Sequence, residues 1–440
     1  MEKQLLYGTM LDRNEVVYEP GQRMEFQDRR QPDKWFSLSD DQLNKHVLLL
    51  GGPGSGKTKV IKMIVDFLRS APGPDDVYVI FDTKGDYLER FYRKGDVVIA
   101  NGEEYRDHPG YRSWNIYEEL AAAGNGWETS AKEISASLFA DRRNENSPFF
   151  SNAAQDLFAN LLIHYFRRRS QDPGALNNRY LVEQIKTKDT EFYQQIFSPE
   201  ENPDMVGLNS YFGKGNNPQG LGVFGEMKSM VYSSFIGAFC EDDGHGRFSI
   251  RDAVRRRGGR AIFIEYDLAT GQALTPIYRL LVDLALKETL GRSNRAESRG
   301  RVWFILDELK LLPNCMHLED GLNFGRGRGC SIIAGMQSVE QMYAIYGRER
   351  GQEICGGFSN VIAFSVSDYA SRDYIRELFG RNYYSVTYSA ATTQEAPIRE
   401  REGYVVEDWD IANLRLAGEA VVGLNGHPPF RFTFSKYWRD

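Results

Sequence analysis

Short apolar runs alternate with helix-spaced stretches along most of this chain. HVLLL at 46–50, VYVIFD at 77–82 and DVVIA at 96–100 are brief and apolar almost throughout. Runs of that kind fit strands buried on both faces. RAIFIEYD (260–267), RVWFILDE (301–308), CSIIAGMQ (330–337) and NVIAFSVSD (360–368) follow, separated by helical stretches such as PIYRLLVDLALKETL (276–290). The alternation predicts an α/β fold with a central, mostly parallel sheet covered by helices.

Between 129 and 240 the pattern changes. SAKEISASLFA, NAAQDLFANLLIHYFRRR, NRYLVEQIKTKDTEFYQQIF and FGEMKSMVYSSFIGAFC all repeat apolar residues at helical spacing. An all-α domain over 129–240 is therefore expected, inserted between the two parts of the α/β domain at 46–128 and 241–440. Residues 1–45 read as a strand-rich extension, with strand-like fragments at Glu15–Tyr18 and Arg23–Phe26. The polar stretch 381–401 predicts an exposed loop. GEAVVGLNGHPPFRFTF near the end predicts a hairpin turning at Asn425-Gly426.

Composition narrows the class. The 440 residues are 41% hydrophobic and 26% charged, enough for a sizeable core and unlike a disordered chain. A formal charge of −7 argues against a broadly basic nucleic-acid-binding exterior, so any polyanion contact must be local. The basic clusters RDAVRRRGGR (251–260) and FRRR (166–169) are the candidates. Four scattered cysteines and six histidines without metal-ligand spacing exclude a zinc site or disulfide framework. With no long apolar span and no signal peptide, a cytoplasmic protein is expected.

The chemistry is concentrated after the first strand. GGPGSGKT at 51–58 fits G-x-x-x-x-G-K-[ST], placing Gly51, Gly52, Pro53, Gly54, Ser55, Gly56, Lys57 and Thr58 around a triphosphate. Glycines let the backbone curl so that its N–H groups face phosphate oxygens, and the following helix adds its positive end. Lys57 suits the β- and γ-phosphates, and the Thr58 hydroxyl suits Mg²⁺.

Such a loop needs an acid at a neighbouring strand end. RVWFILDE offers Asp307 for the metal and Glu308 to polarise the attacking water; Asp82, ending VYVIFD, competes. Gln337, ending CSIIAGMQ, is placed to sense the γ-phosphate. Arg326 and Arg328 lie in the glycine-rich NFGRGRGC, where either could reach a phosphate in its own or a neighbouring subunit.

Several segments resemble the VirD4/TraD/TrwB family of type IV secretion coupling ATPases. IFDTKGDY (80–87) is similar to the family's D-P-K-G-E segment with Thr83 for the proline, SWNIYEE (113–119) to W-N-P-L, and SPFFSNAAQDLFANLL (147–162) to P-F-W-x-x-A-A-x-x-L. FILDELKLLPNCMHLEDGLNFGRGRGCSIIAGMQSVEQMYAIYG (304–347) follows the family order D-E-x, proline, G-R-x-x-G, G-x-Q-S and Y-G. The resemblance implies a RecA-like P-loop motor with an all-α domain, ATP and Mg²⁺ as cofactors, and hexameric rings moving DNA in conjugation. It implies Arg326 as the arginine finger and Gln337 as the sensor. Partners would be DNA, bound without sequence preference, the type IV secretion channel and relaxosome proteins. Family anchors have no counterpart here, so docking at the inner membrane face would run through partners or a removed anchor. The rival readings are an FtsK/HerA-like motor in DNA segregation or defence, and an ATP-dependent scaffold for protein substrates.

Overall fold

The computed structural model describes residues 2–12, 18–22, 24–142, 148–169, 176–212, 218–241, 246–291, 300–387 and 398–435. In chain order, β1 (Glu2–Tyr7), β2 (Met24–Gln27), β3 (Trp35–Leu38) and β4 (Val47–Leu50) come first. β5 (Val77–Asp82), β6 (Val97–Ile99), β7 (Ser113–Trp114), β8 (Arg247–Phe248) and β9 (Arg260–Glu265) follow. β10 (Val302–Leu306), β11 (Cys330–Met336), β12 (Asn360–Ala363), β13 (Arg381–Thr387), β14 (Ile398–Tyr404), β15 (Glu419–Gly423) and β16 (Phe430–Thr433) complete the strands.

The chain forms two compact units. The first holds residues 1–73, 303–310 and 319–440. Its strands run in the order β16-β15-β12-β4-β11-β10. β4 is parallel to both β11 and β12, and the β15–β16 hairpin adds an antiparallel margin. Every residue of β4, β10 and β11 is buried, which is why these strands read as unbroken apolar runs. The expected hairpin turn is present, with Gly426 at φ +83°.

The second unit holds residues 74–302 and 311–318. Its parallel strands lie in the order β5-β9-β6. Helices fill most of the rest: Trp127–Leu138, Pro148–Arg167, Asn178–Thr187, Thr190–Ile196 and Pro218–Ser234. The stretch NRYLVEQIKTKDTEFYQQIF, continuous by spacing, is two helices. Lys188 turns to an extended backbone, and the Asp189 carboxylate then caps the next helix by accepting from Phe192 N at 3.0 Å.

One sequence expectation fails outright. Residues 381–387 and 398–404 are not loop but two strands, β13 and β14, paired antiparallel and joined by β1 in a three-stranded sheet. Their polar residues hid them: Arg381 faces Tyr404, Tyr383 faces Glu402 and Tyr384 faces Arg401, so neither face shows an apolar alternation. In the N-terminal extension, residues 15–17 of one expected strand and Arg23 of the other lie outside the described residues; β2 takes up the remainder from Met24.

Candidate functional site

Adjacent strands β4, β11 and β10 deliver the site from their carboxyl ends. The turn after β4 runs through Gly51–Gly56 into the helix Lys57–Ser70. Gly51 N donates to Met336 O at 3.1 Å and Gly52 N to Ser365 O at 2.9 Å, tying the turn to the ends of neighbouring strands. Gly56 begins the helix at φ +113°, where a Cβ would also meet Gly418 N at 2.9 Å. Only glycine fits there. Ser55 O accepts from Gly418 N at 2.8 Å, so the loop is braced on its far side as well.

Lys57 is buried and folds along its own loop, donating from Nζ to Gly51 O (2.5 Å) and Gly52 O (3.2 Å). Its ammonium therefore lies over the turn it follows. Thr58 points the other way. Its Oγ1 donates to Asp307 Oδ2 at 3.0 Å and Oδ1 at 3.2 Å, joining positions 249 residues apart. A hydroxyl and a carboxylate in contact are hard oxygen donors, and two are what a Mg²⁺ that keeps waters and phosphate oxygens requires. The donor set fits that ion.

Glu308, the next residue, is half-buried. Its Oε2 accepts from Gln337 Nε2 at 2.6 Å, while its Oε1 has no hydrogen-bond partner and lies 4.0 Å from Lys310 Nζ. The base and sensor candidates are thus in direct contact, which the sequence did not reveal. Asp82 goes elsewhere: its carboxylate accepts from Lys84 N (3.0 Å), Tyr87 N (2.7 Å) and Leu88 N (3.1 Å), starting the helix Asp86–Phe91. Arg326 is exposed and pairs with Asp41 at 2.9 Å, and no bond joins it to Thr58, Asp307 or Glu308.

Sequence reading missed Gly335. A Cβ on it would land on the carbonyl oxygen of Asp307, so β11 can lie this close to that acid only with glycine there. The one sequence signal was a glycine inside an otherwise β-rich run. It also missed Glu265, which ends β9 directly beside Asp82 at the end of β5. Burial, and then the charge of Asp82, push its carboxyl up to about 9; Tyr105 OH donates to its Oε2 at 3.4 Å.

The two basic clusters differ from their sequence appearance. Arg167 is held by Asp204 and Glu128, Arg168 by Glu201, and Arg169 lies over the Phe166 ring at 4.2 Å. In the other cluster Arg251 and Arg257 are buried, while Arg255 pairs with Glu288 and Arg256 with Asp252.

No helix among the described residues is long and apolar enough to cross a membrane. A family model described as the type IV secretion-system coupling protein DNA-binding domain matches residues 36–404. Coupling protein TraD of Escherichia coli (strain K12) is 23% identical over 307 residues, covering 68% of this chain and 39% of TraD. VirD4 of Bartonella henselae is 22% identical over 336 residues, covering 71% of this chain and 50% of VirD4. The chain thus spans about half the length, or less, of these relatives. Among solved structures, that of the bacterial conjugative coupling protein TrwBdeltaN70 is similar over 99% of this chain and 95% of the solved chain, with 20% identity and a TM-score of 0.74. That likeness fixes the fold as a RecA-like α/β sheet with a helical part. With the family model running through most of the sequence, the chain belongs to the type IV secretion-system coupling protein family.

Proposed function

We propose that this protein is an ATP-hydrolysing DNA translocase serving conjugative transfer. The single observation that carries the reading is the Thr58–Asp307 contact, which joins the phosphate loop to the acid of a neighbouring strand. TrwB has been solved with ADP and Mg²⁺ and with an ATP analogue, and that supports ATP and Mg²⁺ as the ligands here. Mg²⁺, when bound, draws charge from the phosphate oxygens.

The chain's own residues do the rest. Loop amides and Lys57 hold the β- and γ-phosphates, the lysine leaving the carbonyls of Gly51 and Gly52 to do so. Thr58 and Asp307 hold the metal. Glu308 takes a proton from water as its oxygen attacks the γ-phosphorus, and the bond to the bridging oxygen breaks to give ADP and phosphate. Gln337, already on Glu308, keeps that carboxylate oriented and passes the loss of the γ-phosphate to the helix Val339–Tyr346 that follows it. Arg326 acts on a neighbouring copy's nucleotide in a homo-hexamer, where an exposed arginine can leave Asp41 for a phosphate. The family's description as a type IV secretion-system coupling protein DNA-binding domain supports DNA as the track and the secretion channel as a partner; relaxosome proteins would be the further partners.

The test is ATP turnover with and without DNA. The unaltered chain should be stimulated by DNA. Lys57→Ala should lose nucleotide affinity, and Glu308→Gln should keep it while turnover falls about 10²–10³-fold. Turnover that survives Glu308→Gln, or that ignores DNA, would overturn the reading.

A further inference from the structure

An arginine-lined cleft of about 540 Å³ lies in the second unit, away from the phosphate loop in sequence and made wholly within that unit. Five arginines line it, Arg112, Arg247, Arg255, Arg256 and Arg260, against two carboxylates, Glu118 and Asp252. In a chain of net charge −7, this is a local reversal of sign.

The fold gathers these side chains through strand starts. β7 and β8 pair in parallel with Ser113 opposite Arg247, so Arg112, one residue earlier, enters beside Arg247. Arg112 N also donates to Val98 O of β6 at 3.1 Å, and β6 pairs with β9, whose first residue is Arg260. Gly246, at φ +82°, keeps the backbone close, with a Cβ there lying 3.9 Å from Arg112 Cδ.

What four of these guanidiniums already hold decides their value. Arg255 and Arg256 are paired to Glu288 and Asp252. Arg112 donates to the carbonyls of Tyr111 (2.5 Å) and Pro109 (3.4 Å), and Arg260 to that of Arg257 (2.7 Å). A carbonyl orients a guanidinium without cancelling its charge. Arg112 is exposed and Arg260 half-exposed. The only aromatic in the lining, Phe248, is buried, so the cleft has no platform on which a base could stack.

We propose that this cleft grips the phosphodiester backbone of a nucleic-acid strand, with Arg112 and Arg260 as its principal charges. The proposal rests on the DNA reading above and assigns a place to it. Guanidiniums without base-reading or stacking groups recognise phosphate independently of sequence.

The experiment uses the full chain and fluorescein-labelled single- and double-stranded oligonucleotides, with affinity followed against salt. Replacing both anchors (Arg112→Gln with Arg260→Gln) should flatten the log–log salt dependence by about 1.4–1.8, from about 0.7–0.9 per lost contact, and weaken binding roughly tenfold or more near 0.15 M salt. Binding of a fluorescent ATP analogue should not move. The lysine pair (Arg112→Lys with Arg260→Lys) should restore most of the slope. Glu118→Gln should tighten DNA binding about two- to fivefold, a gain that misfolding cannot produce. An unchanged slope in a chain that binds DNA would overturn the cleft assignment alone. No DNA binding by the unaltered chain would overturn it together with the DNA reading. A polyglutamate peptide that binds the unaltered chain and not the glutamine pair, with DNA binding unmoved, would give the cleft to an acidic protein segment and overturn the proposal.

Discussion

Glu265 shows how much a single buried group can set. Its carboxyl, 2% exposed beside Asp82 and Tyr105, keeps its proton until about pH 9, whereas in the unfolded chain it would release it near the ordinary glutamate value. The folded form therefore binds the proton more tightly. The stability this contributes is complete below the unfolded value and is lost as pH rises toward the folded one. Glu265→Gln removes the dependence. Thermal melts should show the variant matching the parent near pH 4–5 and exceeding it by a few degrees near pH 8, on the order of 1 °C per kcal/mol in a chain this large. At the same scale, the P-loop residues were legible because their chemistry is local: glycines, a lysine and a threonine in fixed order need no partner to be recognised. Pattern favoured Asp307 over Asp82 only through the second acid, Glu308, that follows it, since both end apolar runs. What separates them is where their oxygens go, to Thr58 in one case and to the amides of a following helix in the other.

Elements were readable wherever burial is two-sided. β5, β9 and β11 appear in the sequence almost as they do in space, because a strand covered on both faces has no polar position to interrupt it. β13 and β14 were invisible for the opposite reason, with arginines, glutamates and tyrosines facing one another across the ladder. The break between Asn178–Thr187 and Thr190–Ile196 was also hidden, because the cap that starts the second helix is a single carboxylate within a charged stretch. Asp189→Ala should therefore loosen one element and leave its neighbours. Hydrogen exchange in 190–196 should speed by roughly fivefold, for about 1 kcal/mol of lost capping, with protection in 178–185 unchanged.

For the molecule as a whole, the proposed ring makes a stronger demand than the single chain does. If Arg326 serves a neighbour's nucleotide, Arg326→Ala and Lys57→Ala chains are each inactive for different reasons, and a mixture can regenerate competent interfaces. ATP turnover in a one-to-one mixture should rise well above either variant alone, and turnover per chain of the parent should climb with concentration. A mixture no better than its components would place Arg326 outside the reaction. None of this was visible in the net charge. Composition set only the sign of the exterior, whereas ion pairs such as Arg167 with Asp204 decide which arginines still carry usable charge.

The missing side chain at Gly335 has a consequence for how this sequence can drift. Because any Cβ there would strike the backbone of Asp307, positions 335 and 307 form one indivisible piece of geometry shared by two strands. A larger residue at 335 would have to push two strands apart before it could fit, so a glycine in the middle of a buried strand is as strict a requirement of this geometry as the acid beside it.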